Sequence, residues 1–218
     1  MVLTLYGHSY ATCTQRVAVV LLEKKVPFNF VVVDLAKGEH KTPEYLTKQP
    51  FGVIPYIDDD GFILYESRAI SRYIAEKYAD QGRKLIPTDL KEKALFEQAA
   101  SVEYANFETN ASTVVAEKVF KPLFHKVQPD EKLFEKHNEI LKAKLDVYDK
   151  ILAKQKYLAG DELTVADLFH LPVGAHLKAA GSDVLETRPN VARWWKELTE
   201  LPSWIEVQTG IKPSYAYA

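Results

Sequence analysis

The stretch PFGVIPYIDDDGFILYESRAI, residues 50–70, decides how this chain is read. Residues 54–57 and 62–65 are β-forming runs, and Asp58, Asp59, Asp60 and Gly61 between them form a hairpin signature. A helix is predicted to follow over 67–78. Toward the start, residues 2–6 alternate and are rich in β-formers, which predicts a strand ending at Gly7. Residues 12–25 are predicted helical: Val17, Val20 and Leu21 recur at helical spacing, and Ala18, Val19 and Leu22 widen the apolar face. Residues 28–35 are almost continuously apolar, as a buried parallel strand would be. Thr42 and Pro43 read as the N-cap and first residue of a short helix that Pro50 closes. The order is β-α-β-α-β-β-α, and it ends in a polar stretch, 79–88, holding Gly82 and Pro87.

Beyond that stretch strand signals nearly vanish. Long helical patterns cover 90–119, 131–152 and 165–180, and a shorter one covers 190–198. Thr164 and Asp167 after Leu163 resemble a capping box with a hydrophobic staple to Leu168. Two domains are therefore expected, 1–80 and 89–218, small α/β first and all-helical second. No run approaches the roughly 18 apolar residues of a membrane helix, so no membrane partner is expected. A formal net charge of −2 gives no electrostatic ground for nucleic-acid binding. Residue 1 onward lacks a basic segment followed by an apolar one, and a lone cysteine, Cys13, suits a reducing compartment; a cytoplasmic location is expected.

Three clusters carry a resemblance. Gly38-Glu39-His40-Lys41, then Pro50-Phe51-Gly52 with Pro55, then Tyr65-Glu66-Ser67-Arg68-Ala69-Ile70 resemble the glutathione site of phi-class cytosolic glutathione transferases. Tyr157 to Asp161, Thr164 to Leu168, and Val191, Arg193, Trp194 and Trp195 are similar to the helical domain of that family, so the likeness spans essentially the whole chain. It implies a thioredoxin-like α/β domain followed by an all-helical C-terminal domain, and a homodimer. It also implies an enzyme that conjugates the glutathione thiolate to small hydrophobic electrophiles, with glutathione as co-substrate and no cofactor.

The resemblance assigns roles to particular residues. Ser67 would receive the γ-glutamyl carboxylate at a helix start, where free N–H groups and the positive dipole end favour an anion. Glu66 would accept from the α-amine. Ile54-Pro55 would be a cis peptide, with the Ile54 backbone pairing with the cysteinyl backbone. His40 and Lys41 would hold the glycyl carboxylate. Plainer readings stand beside these: Ser67 as an N-cap, and 37–41 as a solvated polar loop. A metal at His40 is not expected, because no other histidine or cysteine stands at ligand spacing. Around an apolar second pocket shared between the domains the resemblance puts Tyr10, Thr12, Leu35, Ala116 and Phe120. Ala116 and Phe120, four apart, share a helix face and fit a helical core equally well.

Two positions depart from the family pattern. Its serine, which donates a hydrogen bond to the glutathione sulfur, falls at Ala11, four residues after Gly7 and five before Arg16. Val53 stands where the pattern has glutamine, so one side-chain hydrogen bond to glutathione is missing. Thr12 is the candidate replacement hydroxyl, although Thr12 and Gln15 also fit a capping box. Cys13, near a helix start, would support a redox reading. A weakly catalytic or non-catalytic ligand-binding protein is the alternative that Ala11 and Val53 favour.

Overall fold

The computed structural model describes residues 2–214; Met1 and 215–218, the outer ends of the two expected domains, lie outside the described residues. Contacts group the chain into two units, one running from the start to Ile86 and resuming at Leu201, the other spanning Pro87–Glu200. The first unit contains β1 (Leu3–Gly7), α1 (Thr12–Glu23), β2 (Phe28–Val32), a 3₁₀ turn (Glu39–Lys41), α2 (Pro43–Leu46), β3 (Tyr56–Asp59), β4 (Phe62–Tyr65) and α3 (Ser67–Lys77). Its four strands lie in the order β2-β1-β3-β4, with β2 parallel to β1 and the other pairs antiparallel. Asp60 and Gly61 turn the β3–β4 hairpin with positive φ, 56° and 89°, the backbone that an Asp-Gly turn favours.

Strand alternation splits the sheet into two faces. Leu3, Leu5, Phe28 and Ile57 are buried with Val17, Val20 and Leu21 of α1 and Ile70 and Ile74 of α3. Tyr6, Tyr56 and Tyr65 pair across three strands and so form one row on the opposite face, where Tyr45 of α2 meets Tyr56. β2 stops at Val32 rather than at 35, and β3 starts at Tyr56 rather than at 54. Pro55 has no N–H to give a ladder.

The second unit opens with one long helix, α4 (Leu90–Val102), α5 (Thr109–Val115) and two segments of wider, π-type turns at Glu103–Glu108 and Ala116–His125. It therefore continues past the predicted end at 119, and Pro122 lies inside it. The wider turns absorb the hydrogen bond that proline cannot donate. α6 (Glu131–Leu152) matches its prediction, whereas the pattern over 165–180 resolves into α7 (Val165–Leu168) and α8 (Leu171–Leu177). α9 (Pro189–Thr199) is followed by α10 (Pro202–Gln208), which packs on α1 in the first unit. The sequence reading did not foresee α10.

Asp167 anchors the second unit. Its Oδ1 accepts from Leu158 N–H at 2.9 Å and Trp194 Nε1 at 3.0 Å, and its Oδ2 accepts from Thr164 N–H and Oγ1, both at 3.0 Å. The expected capping box is formed. Burial raises the carboxyl's pKa, and the four donors pull against that. Asp167→Ala strands those donors in the core and is expected to lower stability by about 3–5 kcal/mol, read as a drop in the urea midpoint. Asp167→Asn, which keeps one acceptor oxygen, loses less. An unchanged midpoint in Asp167→Ala would show that the carboxylate is dispensable.

Candidate active site

The first unit builds the candidate site at the starts of α1 and α3. A Cβ on Gly7 would sit 2.6 Å from Thr14 Cγ2 and Oγ1, so only glycine lets the first turn of α1 close over the end of β1. Ala11 is the N-cap of α1, with φ −80° and ψ 126°, and its side chain makes no capping bond. Thr12 is already the first helical residue, so the expected Thr12–Gln15 capping box does not form; Gln15 Nε2 donates instead to Ser9 O at 3.1 Å. The first turn carries no acidic residue.

Arg16, used in the sequence reading only as a spacing marker, is fully buried. Its NH1 donates to Ser67 Oγ at 3.0 Å and approaches Cys13 Sγ at 3.5 Å. Ser67, 5% exposed, is the first residue of α3 rather than its N-cap. Glu66 takes the N-cap position with φ 70° and ψ 106° and makes no capping bond. A non-glycine residue held there stores backbone strain, a feature that clusters at ligand sites.

Every other described helix start is provided for. Thr42, Asp89, Asp130 and Thr164 cap α2, α4, α6 and α7 with their side chains. α8, α9 and α10 carry proline in the first turn, and α5 continues a helix already running. Only α1 and α3 present first-turn N–H groups with neither device.

The loop before β3 completes this side of the unit. Lys41 Nζ donates to Gly52 O at 2.7 Å. Gly52 has φ +61°, and a Cβ on it would lie 3.0 Å from His40 O and from Lys41 Nζ. Tyr45 OH, its pKa pushed up to about 12 by burial, donates to Val53 O at 2.8 Å. Gln49 Oε1 accepts from Val53 N–H at 3.4 Å. Ile54-Pro55 is cis. His40 Nδ1 and Gln49 Nε2 are buried and, among the described residues, have no hydrogen-bond partner. Arg16, Tyr45 and Gln49 were missed as site residues. Tyr45 and Gln49, four apart, alone signalled a shared inward helix face.

The residues expected around a second pocket divide between the units. Tyr10 and Leu35 are 68% and 40% exposed apolar groups of the first unit. In the second, Ala116 and Phe120 are half-buried, and the Phe120 ring meets Phe124 and His176 at 5.9 and 5.4 Å. Among the described residues no group of three His, Cys, Asp or Glu side chains is placed to hold a metal ion.

The models of the glutathione S-transferase N-terminal and C-terminal domains match residues 1–76 and 112–202. Glutathione S-transferase PM239X14 of Arabidopsis thaliana is 50% identical over 195 residues, 88% of each chain. Among solved structures, glutathione transferase F2 of Populus trichocarpa is 40% identical with a TM-score of 0.91, covering 95% of this chain and 97% of that one. Maize glutathione S-transferase I, solved with an atrazine–glutathione conjugate, is 33% identical with a TM-score of 0.88, covering 96% and 97%. The chain belongs to the glutathione S-transferase family, and it is therefore an enzyme of the transferase class. Within that family it is phi-class.

The strain at Glu66 has a direct test. Glu66→Gly should be more stable than Glu66→Ala by about 1 kcal/mol, because only glycine adopts this φ without penalty. Equal unfolding midpoints would show that Glu66 is not held under strain.

Proposed function

We propose that the chain conjugates glutathione to small hydrophobic electrophiles, with the tripeptide sulfur at the start of α1 and the γ-glutamyl end at the start of α3. The observation that carries this reading is the pair of helix starts without side-chain caps, tied together by Arg16. Their N–H groups and positive dipole ends are suited to a thiolate and a carboxylate. In this reading Ser67 and Glu66 hold the γ-glutamyl group, and the Ile54 backbone pairs with the cysteinyl residue. Val53 lines the same stretch without a side-chain bond. His40, with an unpartnered buried Nδ1, takes the glycyl carboxylate, and Lys41 contributes less because Gly52 O already holds its ammonium. The thiolate sulfur attacks the electrophilic carbon. A C–S bond forms, and the leaving group departs with its electron pair or, in addition, a proton enters at the neighbouring carbon. Tyr10, Leu35, Ala116 and Phe120 are the candidate apolar contacts for the electrophile, and the cytoplasm is the proposed location.

Ala11 favours a second reading, a weakly catalytic binder of apolar ligands, since the N-cap carries no hydroxyl. Ala11→Ser separates the two. A hydrogen bond to an ion contributes about 1.5–3 kcal/mol, so the bound thiol's pKa should fall by about 1–2 units. Conjugation at neutral pH should rise roughly 10- to 100-fold, with glutathione affinity nearly unchanged. Thr12→Ala, made in parallel, abolishes activity if Thr12 already serves the sulfur. An unchanged thiol pKa in Ala11→Ser would place the sulfur elsewhere.

The chain is also proposed to be a homodimer. Phe51 in the first unit is 67% exposed, and in the second unit Leu95 and Val147, 50% and 52% exposed, line a groove of about 300 Å³ rimmed by Lys150 and Lys154. Exposed apolar features of this size are what a second copy covers. Sedimentation at micromolar concentration should show a dimer that Phe51→Ala weakens; a monomer would contradict the proposal.

A further inference from the structure

The outer face of the first unit's sheet holds a hollow of about 310 Å³ that the glutathione chemistry does not use. Its lining combines the rings of Tyr6 and Tyr56, stacked at 4.4 Å and 9°, with the side chain of Val31. Three carboxylates, Glu39, Glu44 and Asp58, and one ammonium, Lys48, line it as well. Glu39 Oε2 is committed to Asp34 N–H at 2.7 Å, and Asp58 Oδ1 to Gly61 N–H at 2.8 Å. Glu44 has no ion-pair partner among the described residues.

Carboxylates alone would be a solvated patch. Tyr56 is different: it is 7% exposed, lines this hollow, and its hydroxyl has no hydrogen-bond partner among the described residues. Burial, with Tyr6, Tyr45, Asp58 and Glu44 nearby, raises its pKa, so it stays a neutral phenol. That oxygen is not sealed from solvent, so a donor seated in the hollow can reach it. A second hollow of about 380 Å³, lined by Val2, Thr4, Asp58, Asp60 and Gly61, adjoins the first through Asp58. Carboxylates thus run along the face from Glu44 through Asp58 to Asp60, with aromatic and aliphatic surface between them. No three of the described acidic, histidine or cysteine side chains are gathered for a metal ion, so the arrangement suits an extended cation rather than a compact one.

We propose that this face binds a linear aliphatic di- or polyamine. One ammonium is taken by Glu44, Asp58 and the Tyr56 oxygen, a second by Asp60, and the methylene chain crosses Tyr6 and Thr4. An ammonium carries three donors and no acceptor, which matches carboxylate and phenol oxygens, and it gains further from an adjacent aromatic face. Lys48 is the built-in competitor for the first position.

Calorimetric titration of the full chain with spermidine and with 1,4-diaminobutane at low ionic strength tests this. Saturable one-to-one binding is expected, tighter for spermidine. Each exposed charge contributes up to about fivefold; Glu44→Gln combined with Asp58→Asn should therefore weaken binding by up to about 25-fold, and Lys48→Ala should tighten it two- to fivefold. Tyr56→Phe, which keeps the stacked ring, should weaken it by a similar factor. Glutathione conjugation should be unchanged in Glu44→Gln and Lys48→Ala, so failure here is distinguishable from failure of the transferase reading. Absence of saturable heat, or equal affinity in the wild type, Glu44→Gln and the double variant, would overturn the proposal.

Discussion

The candidate active site depends on one buried guanidinium. Arg16 is fully enclosed, and a charge in that position is tolerated only when hydrogen-bonded. Its bond to Ser67 Oγ joins the N-terminal half of α1 to the first turn of α3 across 51 positions of sequence. The two helices pack on each other, so their positive ends are held close together. The cation adds to those two dipole ends and deepens the preference for negative charge there. Removing it would leave the buried Ser67 hydroxyl and the half-buried Cys13 without the donor that organises them.

Around that link the chain gives up local stability. α1 begins at an alanine and α3 at a strained glutamate, although side-chain caps appear at four other helix starts. A side-chain cap would be worth roughly 1 kcal/mol, and it would occupy the N–H groups that the proposed reading gives to glutathione. The loop shows the same economy: Lys41, Tyr45 and Gln49 fix the Gly52–Val53 backbone, while His40 Nδ1 and Gln49 Nε2 are buried without partners among the described residues.

Much of the fold was legible because its signals are local. The Asp-Gly turn, the Thr42-Pro43 helix start and the Thr164–Asp167 box each act within four residues, and each is formed. Contacts made at long range were not legible. Arg16 meets Ser67, and α10 returns to α1 with Ser203 Oγ donating to Glu23 Oε1 at 2.5 Å, 180 positions away. No periodicity records such pairings. The capping alternative for Thr12 fails although Thr-x-x-Gln has the right composition, because a one-residue difference in where the helix begins removes its meaning. The helix predicted to end at 119 errs in the opposite sense, since wider turns carry it on through Pro122.

The central claim is that the N-terminus of α1, capped by alanine, is where the glutathione sulfur is activated. Thiolate absorbance of glutathione bound to the wild-type protein, followed across pH, measures this directly. The account predicts a titration midpoint below that of free glutathione under the same conditions, because N–H groups and a helix dipole favour the anion. A bound midpoint equal to or above the free value would contradict it.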